Sequence, residues 1–238
     1  MSRGIVTACF NNRVAELDGL ICNIRKFTDL PISVLCDFPD FYKSLRYGND
    51  NVKFLKVEPM WIGHPRYGNR NKNFYQIYGL TLVNYSSILF LDDDMRIVDS
   101  RVFEGFELAD RFNLCLPINP RCFVGVDAKI GSDVPANERN AELYSATAWN
   151  CAIMFVNKIN WGKSGVKEFI DIYCEISKQT PMRMPMLLWK TIERTGFVPY
   201  PLPYPWCVCL EDINNMHQKP IVLHCGHQVV KEYHERLV

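Results

Sequence analysis

Short apolar runs alternate with stretches whose apolar residues recur every three or four positions through the first hundred residues of the chain. Gly4 to Phe10 (GIVTACF), Ile32 to Asp37 (ISVLCD), Val52 to Val57 (VKFLKV) and the run ending ILFL before Asp92 each predict a strand. Between the first two, Val14, Leu17, Ile21, Ile24 and Phe27 recur at helical spacing, and Pro31 separates that helix from the next run. From Lys72 to Asn84, Phe74, Ile77, Tyr78 and Thr81 fall on one helical face. Strands alternating with helices predict an α/β protein: a mixed, mostly parallel sheet flanked by helices on both faces.

Beyond position 100 the pattern is less regular. Asn113 to Pro117 and Cys151 to Asn157 read as strands, and Val166 to Lys178 and Met186 to Thr195 as helices. Seven of the 14 prolines lie between Pro181 and Pro220, which predicts loops and short strands there. No internal repeat or low-complexity linker divides the chain, so residues 1–238 read as one domain. A chain of this length buries about 70 % of its unfolded surface and needs no disulfide or structural metal to fold.

Composition narrows the class. With 48 % hydrophobic and 22 % charged residues the chain is globular rather than disordered, collagen-like or coiled-coil. A net charge of +1 argues against a protein that binds nucleic acid by neutralising phosphates. No stretch approaches the roughly 20 apolar residues of a transmembrane helix. Met1 to Asn12 lack the apolar core of a signal peptide, which predicts a cytoplasmic protein whose ten cysteines are buried free thiols.

The chemistry concentrates in Ile88 to Met95, ILFLDDDM. Three acids that end an apolar strand repel one another unless solvent or a cation stabilises them. In an extended chain Asp92 and Asp94 share a side and Asp93 points elsewhere. Two hard carboxylates suit Mg²⁺ or Mn²⁺ gripping a diphosphate, and ligands of open α/β sheets bind at the carboxyl ends of strands. The same acids could instead cap a turn. They also leave open a haloacid-dehalogenase-like phosphohydrolase with the first Asp as nucleophile, or a non-catalytic nucleotide-sugar or metal-binding module. The phosphohydrolases carry the motif on their first strand with Thr or Val two residues on; this chain has three earlier strands and Arg96 there. Cys207, Cys209, His224 and His227 could form a zinc site, although C-x-C spacing is unusual for one.

Four segments in order, GIVTACFNN, ILFLDDD, WNCAIMFVN (Trp149 to Asn157) and IVLHCGHQVVK, resemble nucleotide-sugar glycosyltransferases of the GT-A fold, particularly the glycogenin-like and bacterial lipooligosaccharide galactosyltransferase group. The resemblance implies a GT-A domain whose residues 1–99 hold nucleotide and metal and whose residues 100–238 hold donor sugar and acceptor. It makes Asp92 and Asp94 ligands of Mn²⁺ or Mg²⁺, with Asp92 and Asp93 also toward the donor. His224 becomes the third metal ligand and Lys231 a nucleotide or donor contact. Thr7, Ala8, Cys9 and Asn12 would edge the nucleotide pocket, Asp37 would face the base or ribose, and Asn150 would contact donor or acceptor. The family's basic residue on the helix before the acids aligns with Gln76, and Arg70 and Lys72 stand nearby to serve the diphosphate. The donor implied is a UDP-sugar; the acceptor is a hydroxyl of a glycan, lipid-linked, protein or small molecule. Retaining relatives carry an Asp-Gln pair where Thr180 to Leu187 read TPMRMPML. An inverting enzyme needs a carboxylate base, for which Glu211 is preferred over Asp212, Asp127 and Asp133.

Overall fold

The computed structural model describes residues 1–10, 13–40, 51–60, 62, 67–123, 147–159, 161–179 and 184–226, without the side chains of 67–70, 119–123, 147–148, 211 and 215. Four strands, β1 (Arg3–Cys9), β2 (Ile32–Cys36), β3 (Val52–Lys56) and β4 (Ser87–Leu91), form a parallel sheet in the order β3-β2-β1-β4. Their buried residues divide by alternation. Val6, Ala8, Ile88 and Phe90 enter one core cluster. Ile5, Cys9, Leu89 and Leu91 enter the other. Helix α1 (Val14–Arg25) buries Leu17, Leu20, Ile21 and Ile24 in the second cluster. Helix α2 (Tyr67–Leu82) brings Phe74, Ile77 and Leu80 to the first. It lies close over the sheet at Gly79, where a Cβ would stand 2.0 Å from Leu35 Cδ1.

The sheet continues through residues of the second half. After β5 (Met95–Ile97) come α3 (Gly105–Phe112), β6 (Leu114–Phe123), β7 (Thr147–Trp149) and β8 (Ile153–Asn157). Strand β8 runs antiparallel between β4 and β6, and β7 pairs the far part of β6. Helices α4 (Val166–Gln179) and α5 (Met184–Thr195) follow, and β9 (Tyr200–Leu202) joins β6 in parallel. The mixed, mostly parallel sheet and the strand and helix positions agree with the sequence pattern. Three differences stand out: α2 starts at Tyr67 rather than near Lys72, β6 runs on to Phe123, and β5 is an additional strand.

Strand β5 belongs to a second, three-stranded sheet in the order β10-β11-β5, with β10 (Val208–Cys209) and β11 (Val222–His224) from the proline-rich region. Asn23 of α1 fixes its end, accepting from the Ile97 N–H at 2.6 Å and donating to the Ile97 carbonyl at 3.0 Å. The main sheet winds from β1 outward to β3 and then returns to β4 on the other side of β1. The carboxyl ends of β1 and β4 therefore flank the topological switch point, where α/β sheets open a crevice for ligands. Cys9, Cys22, Cys36, Cys115, Cys151, Cys174, Cys207, Cys209 and Cys225 are free thiols. No described helix is long and apolar enough to cross a membrane.

Candidate functional site

The three acids leave β4 at this switch point. The Asp92 N–H still donates to the Ala152 carbonyl at 2.8 Å, and the Met95 N–H then donates back to the Asp92 carbonyl at 3.1 Å. The acids thus occupy a tight turn rather than an extended strand, and the turn re-aims them. Asp93 does not point away from Asp92. Lys72 Nζ lies 3.3 Å from Asp92 Oδ2 and 3.0 Å from Asp93 Oδ1. Gln76, one helical turn after Lys72, donates from Nε2 to Asp92 Oδ1 at 2.6 Å. Arg13, just beyond β1, places Nη1 3.1 Å from Asp93 Oδ2. Asp93 itself is completely buried.

Asp94 faces the small sheet. Antiparallel pairing sets His224 opposite Met95, and the Cys225 N–H donates to the Asp94 carbonyl at 3.0 Å. His224 Nε2 consequently lies 3.4 Å from Asp94 Oδ2, with 29 % of the imidazole side chain exposed. Cys209, its register neighbour on β10, hydrogen-bonds the same ring. Under the turn, the buried Arg96 guanidinium donates to the carbonyls of Asp93 at 3.2 Å and Met95 at 2.7 Å. Gly19 makes room for it, since a Cβ there would stand 2.4 Å from Arg96 Nη2.

Burial opposes the charged forms of Lys72, Asp92, Asp94 and His224, and their partners decide the outcome. For Lys72, Asp92, Asp93 and Asp94 outweigh burial and hold the ammonium charged. Burial prevails at Asp92 and pushes its carboxyl up to about 6 against Lys72 and Gln76. At Asp94 burial loses to Lys72 and His224, which hold the acid well below the usual carboxylate range. Burial would also lower His224, but hydrogen bonds to Asp94 and Cys209 and the charges of Asp94 and Asp92 raise it to about 10. At neutral pH Lys72 and His224 therefore stand as cations beside the ionised Asp92 and Asp94.

Thr7, Ala8 and Cys9 reach the same crevice from β1, their backbones paired with Val34, Leu35 and Cys36 of β2. The ladder from β1 to β4 runs only from Arg3 to Val6, so the strands part before Thr7, whose buried hydroxyl has no hydrogen-bond partner among the described residues. Asp37 follows β2 at the same sheet end and is buried. Asn150 spends its amide within the protein, accepting from the Ala152 N–H of its own loop at 2.7 Å and donating to the distant Cys207 Sγ at 3.7 Å. Asn12, Lys231, Asp127, Asp133 and His227 lie outside the described residues, as do the side chains of Arg70 and Glu211. Arg13 is the site residue that sequence reasoning missed. Gln76, which the sequence singles out only by alignment with the family's basic position, reaches Asp92.

The donors suit a hard divalent ion. Asp94 and His224 stand at about the spacing of neighbouring ligands that lie roughly 2.1 Å from one ion, and Asp92 supplies a second carboxylate. Among the described residues no three His, Cys, Asp or Glu side chains are already gathered to hold a metal. The Lys72 ammonium lies against the carboxylate that would complete the set.

No family model matches the sequence, and no curated protein matches it. Solved structures do. Apo mouse xyloside xylosyltransferase 1 superposes with a TM-score of 0.61 at 10 % identity, over 96 % of this chain and 99 % of that one. The galactosyltransferase LgtC, solved with donor and acceptor sugar analogues, gives 0.59 at 17 % identity over 98 % and 93 %. The apo glycosyltransferase GlyE of Streptococcus pneumoniae gives 0.57 at 15 % identity, over 96 % of this chain and 55 % of its own length. The parallel β3-β2-β1-β4 half, the reversed β8 and the acids at the switch point are thus set in a fold shared with these transferases: the chain has the GT-A glycosyltransferase fold.

Proposed function

We propose that the protein is a glycosyltransferase that moves a sugar from a nucleoside diphosphate sugar, UDP-linked, to an acceptor hydroxyl, with Asp92, Asp94 and His224 holding Mn²⁺ or Mg²⁺. The observation that carries the reading is the meeting of Asp94 and His224, 3.4 Å apart, at the switch point of a GT-A fold. When bound, the ion neutralises charge developing on the leaving diphosphate. The chain's own groups do the rest. Lys72 and Arg13 offer cationic donors to a diphosphate, a task shared with Arg70 and Lys231. Gln76 orients Asp92 through its amide N–H, and its buried amide oxygen, without a hydrogen-bond partner among the described residues, is available to a donor hydroxyl. Asp37 accepts from the base or ribose, while Thr7, Ala8, Cys9 and Asn12 edge the nucleotide.

Glu211, on the short 3₁₀ turn Leu210–Asn215, takes the proton of the acceptor hydroxyl. Its neighbour Asp212 is committed elsewhere, accepting from the Tyr204 hydroxyl at 2.6 Å. Melting temperature measured against nucleoside diphosphates and their sugars, with and without Mn²⁺, tests the reading. A ligand present at 100 times its Kd stabilises by about 2.7 kcal/mol, worth roughly 5–10 °C for a protein of this size. A shift with UDP or a UDP-sugar only when Mn²⁺ is present is the expected result. No shift with any nucleotide, together with metal-dependent cleavage of a simple phosphate ester, would move the assignment to phosphohydrolase chemistry.

A further inference from the structure

We infer that Lys72 is a displaceable internal cation that competes with the divalent ion for Asp92 and couples metal binding to nucleotide binding. The inference rests on the metal-assisted sugar transfer proposed above. Four observations carry it. The ammonium lies 3.3 Å from Asp92 Oδ2, while Gln76 holds Oδ1 at 2.6 Å, so both oxygens of this ligand are engaged by the chain itself. Asp93 has a second counter-charge in Arg13 on another element, 3.1 Å away, and stays paired when Lys72 moves. Lysine carries a compact charge on a flexible four-carbon stem, which lets the ammonium leave while α2 stays in place. The described residues, finally, gather no three metal ligands in the present arrangement.

A divalent ion placed against Asp92 repels the ammonium beside it. With no anionic ligand in the crevice, Lys72 has no better partner than the two aspartates and opposes the ion. A nucleoside diphosphate supplies that partner. It draws Lys72 off Asp92, and the freed carboxylate joins Asp94 and His224 on the metal. Metal and nucleotide then strengthen one another's binding by equal factors, as linkage requires.

Calorimetric titration of the full chain with Mn²⁺ alone, and with UDP at saturating Mn²⁺, tests this in wild type, Lys72→Met and Lys72→Arg. In Lys72→Met, Mn²⁺ should bind the nucleotide-free protein about tenfold more tightly while UDP binds about tenfold more weakly. Opposite signs are the signature, because a merely structural lysine would weaken both. Lys72→Arg, whose planar fork grips carboxylates in two places, should bind Mn²⁺ more weakly than wild type. Mn²⁺ binding that is no tighter in Lys72→Met overturns the competition and leaves the metal site standing. If Lys72→Met does not fold, equal Mn²⁺ affinity of Lys72→Arg and wild type overturns it. Absence of Mn²⁺ binding in every form, with or without UDP, would overturn the metal reading itself.

Discussion

On the helical side of the acid cluster, Asp92 and Asp93 face Lys72 and Arg13; on the side of the small sheet, Asp94 faces His224. Both flanks neutralise buried carboxylates, but the first uses an ammonium and a guanidinium, and the second uses an imidazole that can give up its proton. A divalent ion arriving at Asp94 can replace that proton, so part of its charge is offset as it enters. No such exchange exists beside Asp93. Asp93 is neutralised only by pairing, whereas Asp94 can trade a proton on His224 for a metal ion.

Asparagine substitutions should separate the flanks most clearly. Asp93→Asn removes the completely buried carboxylate between two cations and leaves Arg13 facing an amide. Removing one partner of a buried pair costs about 3 kcal/mol or more, which corresponds to a fall in melting temperature of roughly 6–12 °C. Asp94→Asn should cost about 1 kcal/mol, because His224 can respond by releasing its proton, yet it should abolish Mn²⁺-dependent nucleotide binding. Equal destabilisation by the two substitutions, measured by thermal unfolding, would remove the distinction.

The effect of pH is smaller and has a definite sign. His224 titrates higher in the folded chain, near 10, than the ordinary histidine value of 6.5. Its contribution to stability is therefore complete below about 6.5 and disappears as pH rises through about 10. The lowered Asp94 behaves oppositely: its contribution is present at neutral pH and is lost only in strong acid. The metal-free protein should lose stability between pH 6.5 and 10, and His224→Gln should flatten that slope. Over pH 6.5 to 8.5 Mn²⁺ affinity should rise by about tenfold per unit as the ion displaces the His224 proton. It should fall below pH 6, where Asp92 takes up a proton. A flat profile in calorimetric titrations would remove His224 from the ligand set, as would His227→Ala weakening Mn²⁺ binding as much as His224→Ala.

The uneven legibility of the sequence follows the same division. Asp92 to Asp94 stand out because an apolar strand stops on them, and the parallel half reads off the alternation of β1, α1 and β2. His224 is visible only through resemblance, because the pairing of β11 with β5 joins distant parts of the chain, and β5 is three residues long. The turn at Asp93 is hidden for a local reason: period-two alternation continues a strand through DDD, and nothing short of the Met95 to Asp92 hydrogen bond reveals that the chain has turned. Arg13 reads as an ordinary basic residue at a helix start. One signal could have found it: β1 and β4 are parallel neighbours, so residues just past β1 lie beside those just past β4. Lys72 and Gln76, four apart on α2, both reach the acids, so the basic side chain and the aligned position serve one cluster together.

The smallest test concerns the support behind Asp92. By resemblance Asn150 contacts a sugar, but its amide oxygen accepts from the Ala152 N–H while the Ala152 carbonyl accepts from the Asp92 N–H. That makes Asn150 a brace at the start of β8, one step removed from the acids. Asn150→Ala should lose about 1 kcal/mol, seen as a melting temperature lower by roughly 2–4 °C, and keep Mn²⁺ affinity within about twofold. UDP-sugar affinity that drops tenfold with stability unchanged would return Asn150 to the donor. Loss of Mn²⁺ affinity in step with stability would instead mean that the Asp92 carboxylate depends on β8 for its aim. The acid cluster would then have three supports, with Asp92 held by the sheet as well as by Lys72 and Gln76.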